Sequence, residues 1–229
     1  MLYNRQVMKK KNIVIIIVCS FFSLIALVVA IPFGILSIRT ANLRNDYSYL
    51  KSDPEYSTKV EITGVDLVTQ HVSCGYATIQ MLSTYYGAPV TEDELDARNR
   101  SISTSSTSGF LKEVNRSIPT KTFVKHDYLK YDQTLKEIHY SIKNNNPVAI
   151  EWAAKDTSGV WTLHFSIVTS LDLANDLVRV YNPYGYIENI TTSEFLNRTS
   201  FEAYKSMPVF LGFGFAFGAF HKNTIFFAL

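Results

Sequence analysis

Between Asn12 and Ile38 the chain reads NIVIIIVCSFFSLIALVVAIPFGILSI, without a single charged residue. No other feature restricts its folding so strongly. A stretch of this length suits a membrane-spanning helix, since inside hydrocarbon a helix satisfies each backbone N–H and C=O within its own segment. A secretory signal has a hydrophobic core of only about 7–15 residues. Val28-Val29-Ala30 has the form of a cleavage site, yet apolar sequence continues beyond it, so a retained anchor is expected. Ile16-Ile17-Val18, ahead of Cys19, lack the small residue expected beside a lipid-modified cysteine. Arg5, Lys9, Lys10 and Lys11 precede the run, whereas only Arg39 and Arg44 follow it closely. The positive-inside bias then leaves the N-terminus in the cytoplasm and the main domain outside, on a single-pass protein of the cell membrane.

The expected division is a basic cytoplasmic segment at 1–11, an anchor at 12–38, a polar linker at 39–59 and one folded domain at 60–229. A domain of roughly 170 residues buries enough surface to hold together by its core. It has to, because the chain has only two cysteines and Cys19 lies in the anchor. The net charge is +2, and no Lys/Arg cluster interleaved with aromatics follows residue 60, so nucleic acid is not expected as a partner. Neither a Gly-rich phosphate loop, a CxxC pair nor an HExxH motif is present, and no cofactor or metal is expected.

Within the domain, Cys74–Tyr86 carries apolar residues at helical spacing and stops at Gly87 and Pro89. Thr91-Glu92-Asp93-Glu94 has the form of a capping box opening a short helix. Further helices are expected near Ser108–Arg116 and Tyr131–Asn144. After Asn146-Pro147 the pattern changes to strands, at Pro147–Trp152, Gly159–Leu171 and Asp176–Tyr181, the last two joined by a tight turn. Helices first and antiparallel strands second make an α+β domain. Pro208–Phe220 is very apolar but too short to span a bilayer, and is expected in the core, with contact to a membrane as the alternative.

Cys74 is the lone thiol outside the anchor and opens a helix, where the positive end of the dipole favours thiolate. A small buried core residue is the competing reading. A thiol nucleophile needs an imidazole to take its proton and a third group to orient the imidazole. His164 is the best candidate imidazole, pointing away from the Trp161/Leu163/Phe165/Ile167 face of its strand; a hydrogen-bonded core histidine is the alternative. Asn182, held extended by Pro183, ends the next strand and can be the third group, although Asn-Pro also punctuates turns. Gln70, with the Cys74 N–H, can offer an oxyanion hole, or be a loop glutamine at the surface.

Gln70…Ser73-Cys74-Gly75…Met81-Leu82…Tyr85-Tyr86-Gly87 resembles the nucleophile region of the C39-like cysteine peptidases, a bacterial, bacteriocin-processing branch of the papain-like fold. Asn146-Pro147-Val148, His164 on an apolar strand, Asp172 in a turn, and Asn182-Pro183 with Gly185 follow in matching order. The resemblance implies a papain-like fold behind one transmembrane helix and hydrolysis of a peptide or protein substrate through a thioester. It makes Cys74 the nucleophile, His164 the base and acid, and Asn182 the orienting group, without a cofactor.

Three features depart from the family pattern. Its oxyanion glutamine stands six residues before the cysteine, where this chain has Val68 and places Gln70 four before. Its third member is more often aspartate. Its best-known members are fused to transporters and remove double-glycine leaders inside the cell, whereas the charge bias here sets the domain outside. A transporter or other membrane partner is left open. A catalytically weak binding protein and a thiol acyltransferase remain the alternative functions.

His71 has no second pair to complete a zinc site, and His126, His139 and His221 have no companions at useful spacing. Glu151, flanked by Ile150 and Trp152, is expected at a strand edge, facing solvent, with lining of the cleft as the alternative.

Overall fold

The computed structural model describes residues 2–99, 104 and 106–229. Helix α1 (Leu2–Thr40) contains the apolar run, and its segment Ile17–Thr40 is long and apolar enough to cross a bilayer. The polar stretch after it does not hang free. Leu43 and Leu50 are buried, the Tyr131 N–H donates to the Leu43 carbonyl at 2.9 Å, and the Asp132 N–H donates to Asn45 Oδ1 at 3.1 Å. The sequence between the anchor and residue 60 is therefore packed onto the domain, because two leucines punctuate an otherwise polar run.

Among the described residues, seven antiparallel strands form one sheet: β1 (Val60–Glu61), β2 (Phe123–His126), β3 (Val148–Lys155), β4 (Trp161–Asp172), β5 (Leu177–Asn182), β6 (Tyr186–Ile190) and β7 (Thr224–Ala228). Their order is β2-β7-β3-β4-β5-β6, with β1 pairing the far half of β4. β4 is the longest strand because it serves two partners on one edge: β3 covers Trp161–Val168, and β1 takes over at Ser170–Leu171 beyond an irregularity at Val168/Ser170.

Against this sheet pack α2 (Cys74–Tyr85), α4 (Thr107–Ser117), α5 (Tyr131–Lys143) and α6 (Thr192–Thr199), while α3 (Glu92–Asn99) packs on α2 and α7 (Val209–Ala216) on α1. Helices α2–α5 and strands β3–β5 lie within a few residues of the expected positions. Phe110 of α4 stacks on Phe165 of β4 with ring centroids 4.4 Å apart and tilts over Phe226 of β7 at 4.7 Å, joining the helical half to the sheet. β2, β6, α6 and β7 are not foreseen by pattern, being short elements of four to eight residues. The expectation for Pro208–Phe220 is corrected. It forms α7, of whose residues only Phe215 is buried, while Val209, Phe210 and Phe213 face outward. Its hydrophobicity is uniform rather than one-sided, so it cannot present one face to a core and another to water.

Candidate active site

Cys74 is the first residue of α2 because Ser73, in extended conformation, caps the helix by accepting the Tyr76 N–H at 3.1 Å. The loop before it is held by a carboxylate. Glu92, fully buried, accepts the backbone N–H of His71 on Oε1 at 3.2 Å and those of Val72 and Ser73 on Oε2 at 3.0 Å each. Glu92 thus occupies three consecutive donors immediately ahead of the thiol. Gly75 is required for space: a Cβ there would overlap the Thr104 side chain. Cys74 as a whole residue is half-buried.

The imidazole is held differently. His164, buried on β4, uses Nε2 to bond Asn182 Oδ1 at 2.8 Å. That oxygen also accepts the Tyr184 N–H at 2.9 Å, while Asn182 Nδ2 donates to Glu188 Oε1 at 2.8 Å. Arg198 closes the chain by pairing Glu188 through two nitrogens, at 2.5 and 3.0 Å, and donating Nε–H to the Ala153 carbonyl at 2.8 Å. Since Glu188 accepts, the Asn182 amide can only turn its oxygen toward His164. The network therefore assigns the ring proton to Nε2 and leaves Nδ1 with its lone pair. Tyr184 stacks on the ring at 4.0 Å and 15°.

The two halves approach at β4. Backbone groups of Phe165, the residue after His164, and of Gly75 favour the charged form of the thiol. Among the described residues no hydrogen bond joins Cys74 to His164. Burial outweighs these backbone donors and pushes the thiol up to about 11, and burial lowers the imidazole to about 3 despite the Asn182 bond. At neutral pH both groups are uncharged. Burial thus opposes the thiolate that the helix N-terminus favours.

The Gln70 N–H donates to the Pro183 carbonyl at 2.7 Å, fastening the loop ahead of Cys74 to the turn that carries Asn182. Thr69 packs beside Gly185, whose φ of +96° suits glycine. The Gln70 side-chain oxygen is buried without a hydrogen-bond partner. Four anticipated residues are thereby drawn to one region, two of them in direct contact.

Glu92, Glu188, Tyr184 and Arg198 were not singled out as site residues. Glu92 stands in the capping-box stretch, but the Thr91 and Glu94 side chains form that cap, so the sequence offered no sign that Glu92 turns inward. Glu151 corrects another expectation. Pairing with β7 at Thr224 makes β3 an interior strand, and burial pushes the Glu151 carboxyl up to about 8. His71 bonds Asp93 at 2.9 Å, His126 bonds Glu137 at 2.6 Å, and among the described residues there is no cluster suited to a metal.

The sequence profile of the Peptidase_C39 like family matches residues 62–209, and the chain belongs to that family. No curated protein matches it. Among solved structures it is similar to a double glycine motif protease from an AMS/PCAT transporter, determined in complex with the leader peptide. That match has 14% identity and a TM-score of 0.47, and covers 74% of this chain and 97% of the other.

Proposed function

We propose that this member of the Peptidase_C39 like family is a membrane-anchored cysteine peptidase that hydrolyses a peptide or protein chain through a thioester. The observation that carries the reading is the His164–Asn182–Glu188 network, which leaves an unprotonated Nδ1 on β4, the strand against which the helix opened by Cys74 packs. α1 is the anchor, with the N-terminus in the cytoplasm and the domain outside.

Because both groups are neutral before reaction, the thiol is deprotonated as it attacks rather than beforehand. His164 Nδ1 takes the proton from Cys74 Sγ while sulfur bonds to the scissile carbonyl carbon. The carbonyl π electrons move onto oxygen, which the Cys74 N–H and the Gln70 amide receive. Gln70 suits this role because its side-chain oxygen is buried without a hydrogen-bond partner, and turning the amide over would place Nε2 hydrogens there. Collapse of the intermediate breaks the C–N bond, and the proton on Nδ1 goes to the leaving amine. Water then attacks the thioester, giving its proton to Nδ1, and the thiol leaves with that proton. Asn182 orients the ring and supports the positive charge it bears between transfers.

A binding protein on the same fold is the second reading, favoured by the absent Cys74–His164 bond and the neutral pair. The deciding experiment incubates the full chain in nanodiscs with a proteome-derived peptide mixture and identifies new N-termini. New termini that vanish in Cys74→Ser and in His164→Ala establish the peptidase. Their absence with the wild-type chain leaves the binding role, and products carrying an added amine in place of water identify an acyltransferase.

A further inference from the structure

α7 and its flanks, Pro208 to Phe220, contain no charged residue, and Lys205 and Lys222 stand on either side. Val209 is 78% exposed, Phe210 70% and Phe217 56%, an apolar surface that water does not favour. This surface is continuous with the apolar helix. Phe213 of α7 meets Phe33 of α1 edge to face at 5.3 Å, and Leu36 of α1 packs into a cluster with Phe201, Tyr204, Phe215 and Trp161.

We infer that α7 is embedded in the outer leaflet of the same bilayer that α1 crosses, lying against the span and fixing the domain on the membrane surface; this rests on α1 being the anchor. Depth supports the assignment. Phe33 lies five residues before Ile38, about 7.5 Å along the helix at its usual rise, and interfacial helices sink about 5–10 Å. An eight-residue helix is about 12 Å long, too short to cross and suited to lying within one leaflet. Tyr204 and Trp161 border the cluster where amphipathic rings favour the headgroup level, and the flanking lysines suit anionic lipid headgroups.

The test places the photocrosslinker p-benzoylphenylalanine singly at Phe210, Ile25 or Tyr140 in the full chain, in nanodiscs containing anionic and zwitterionic lipid. All three side chains point outward, so the fold tolerates each substitution. Lipid adducts at Phe210 and Ile25, and none at Tyr140 on α5, are the expected result. An adduct at Ile25 without one at Phe210 overturns the inference and leaves the anchor standing. Absence of an adduct at Ile25 overturns the anchor, and the inference with it. Crosslinking of Phe210 to a second copy of the chain, in place of lipid, overturns the inference and makes α7 a dimer contact.

Discussion

The thiol and the imidazole are immobilised by opposite means. Around Cys74 the restraints are backbone donors gathered by one carboxylate, a serine cap and a glycine with no room for a methyl group. Around His164 they are side chains in series, running from ring to amide to carboxylate to guanidinium across β4, β5, β6 and α6. A backbone clamp fixes where a group sits. A side-chain series also fixes which nitrogen carries the proton, and so only the imidazole half is specified chemically before substrate arrives.

The largest effect should come from breaking the series at its far end. Arg198 is 3% exposed and lies over the Trp152 ring at 3.6 Å. Arg198→Ala strands the Glu188 carboxylate and should cost about 3–5 kcal/mol in denaturant unfolding of the full chain in micelles. A loss no larger than an exposed ion pair gives would mean the series is ornamental.

Acid should expose the same asymmetry. The folded protein lowers the imidazole of His164 to about 3 from 6.5, so its contribution is present above 6.5 and lost as pH falls through that window. The loss approaches about 1.4 kcal/mol per pH unit while the unfolded chain alone takes up the proton. Unfolding free energy from pH 7 to 4, compared with His164→Gln, should show the wild type alone carrying this slope.

On the thiol side, Glu92→Gln keeps the volume but turns an NH2 toward backbone donors, and should lose about 1.5–3 kcal/mol by the same unfolding assay. Faster alkylation of Cys74 by iodoacetamide, as the loop loosens, would separate a clamp from a bystander. Gly75→Ala forces Thr104 aside and should cost about 1–3 kcal/mol, relieved when Thr104→Gly, which removes the clashing atoms, is added.

The smallest effect belongs to His71, whose imidazole is raised by hydrogen bonding to Asp93 and by the charge of Glu92. Its contribution is complete below the unfolded value of 6.5 and disappears as pH rises through the raised one. His71 is exposed, so His71→Ala should flatten only a slight decline in stability between pH 6 and 8.

Much of the site was legible because its residue types are locally punctuated. Ser73 caps a helix, Cys74 follows it, and Asn182-Pro183 ends a strand, all within a few positions of chain. Glu188 and Arg198 were not, since a strand carboxylate and a helix guanidinium look like solvated charge until β6 and α6 bring them under Asn182. Gln70 was legible as a loop residue, and its unbonded oxygen was not.

By itself the sequence determined the apolar span, the order of helices before strands, and the positions of Cys74, His164 and Asn182 on their elements, because these follow from periodicity and capping over short stretches. Tertiary structure alone decided that β7 would slip between β2 and β3 and bury Glu151, that Glu92 would gather three N–H groups, and that α7 would lie open beside α1. It also decided the charge of the pair, since desolvation depends on everything packed around a group rather than on its neighbours in the chain.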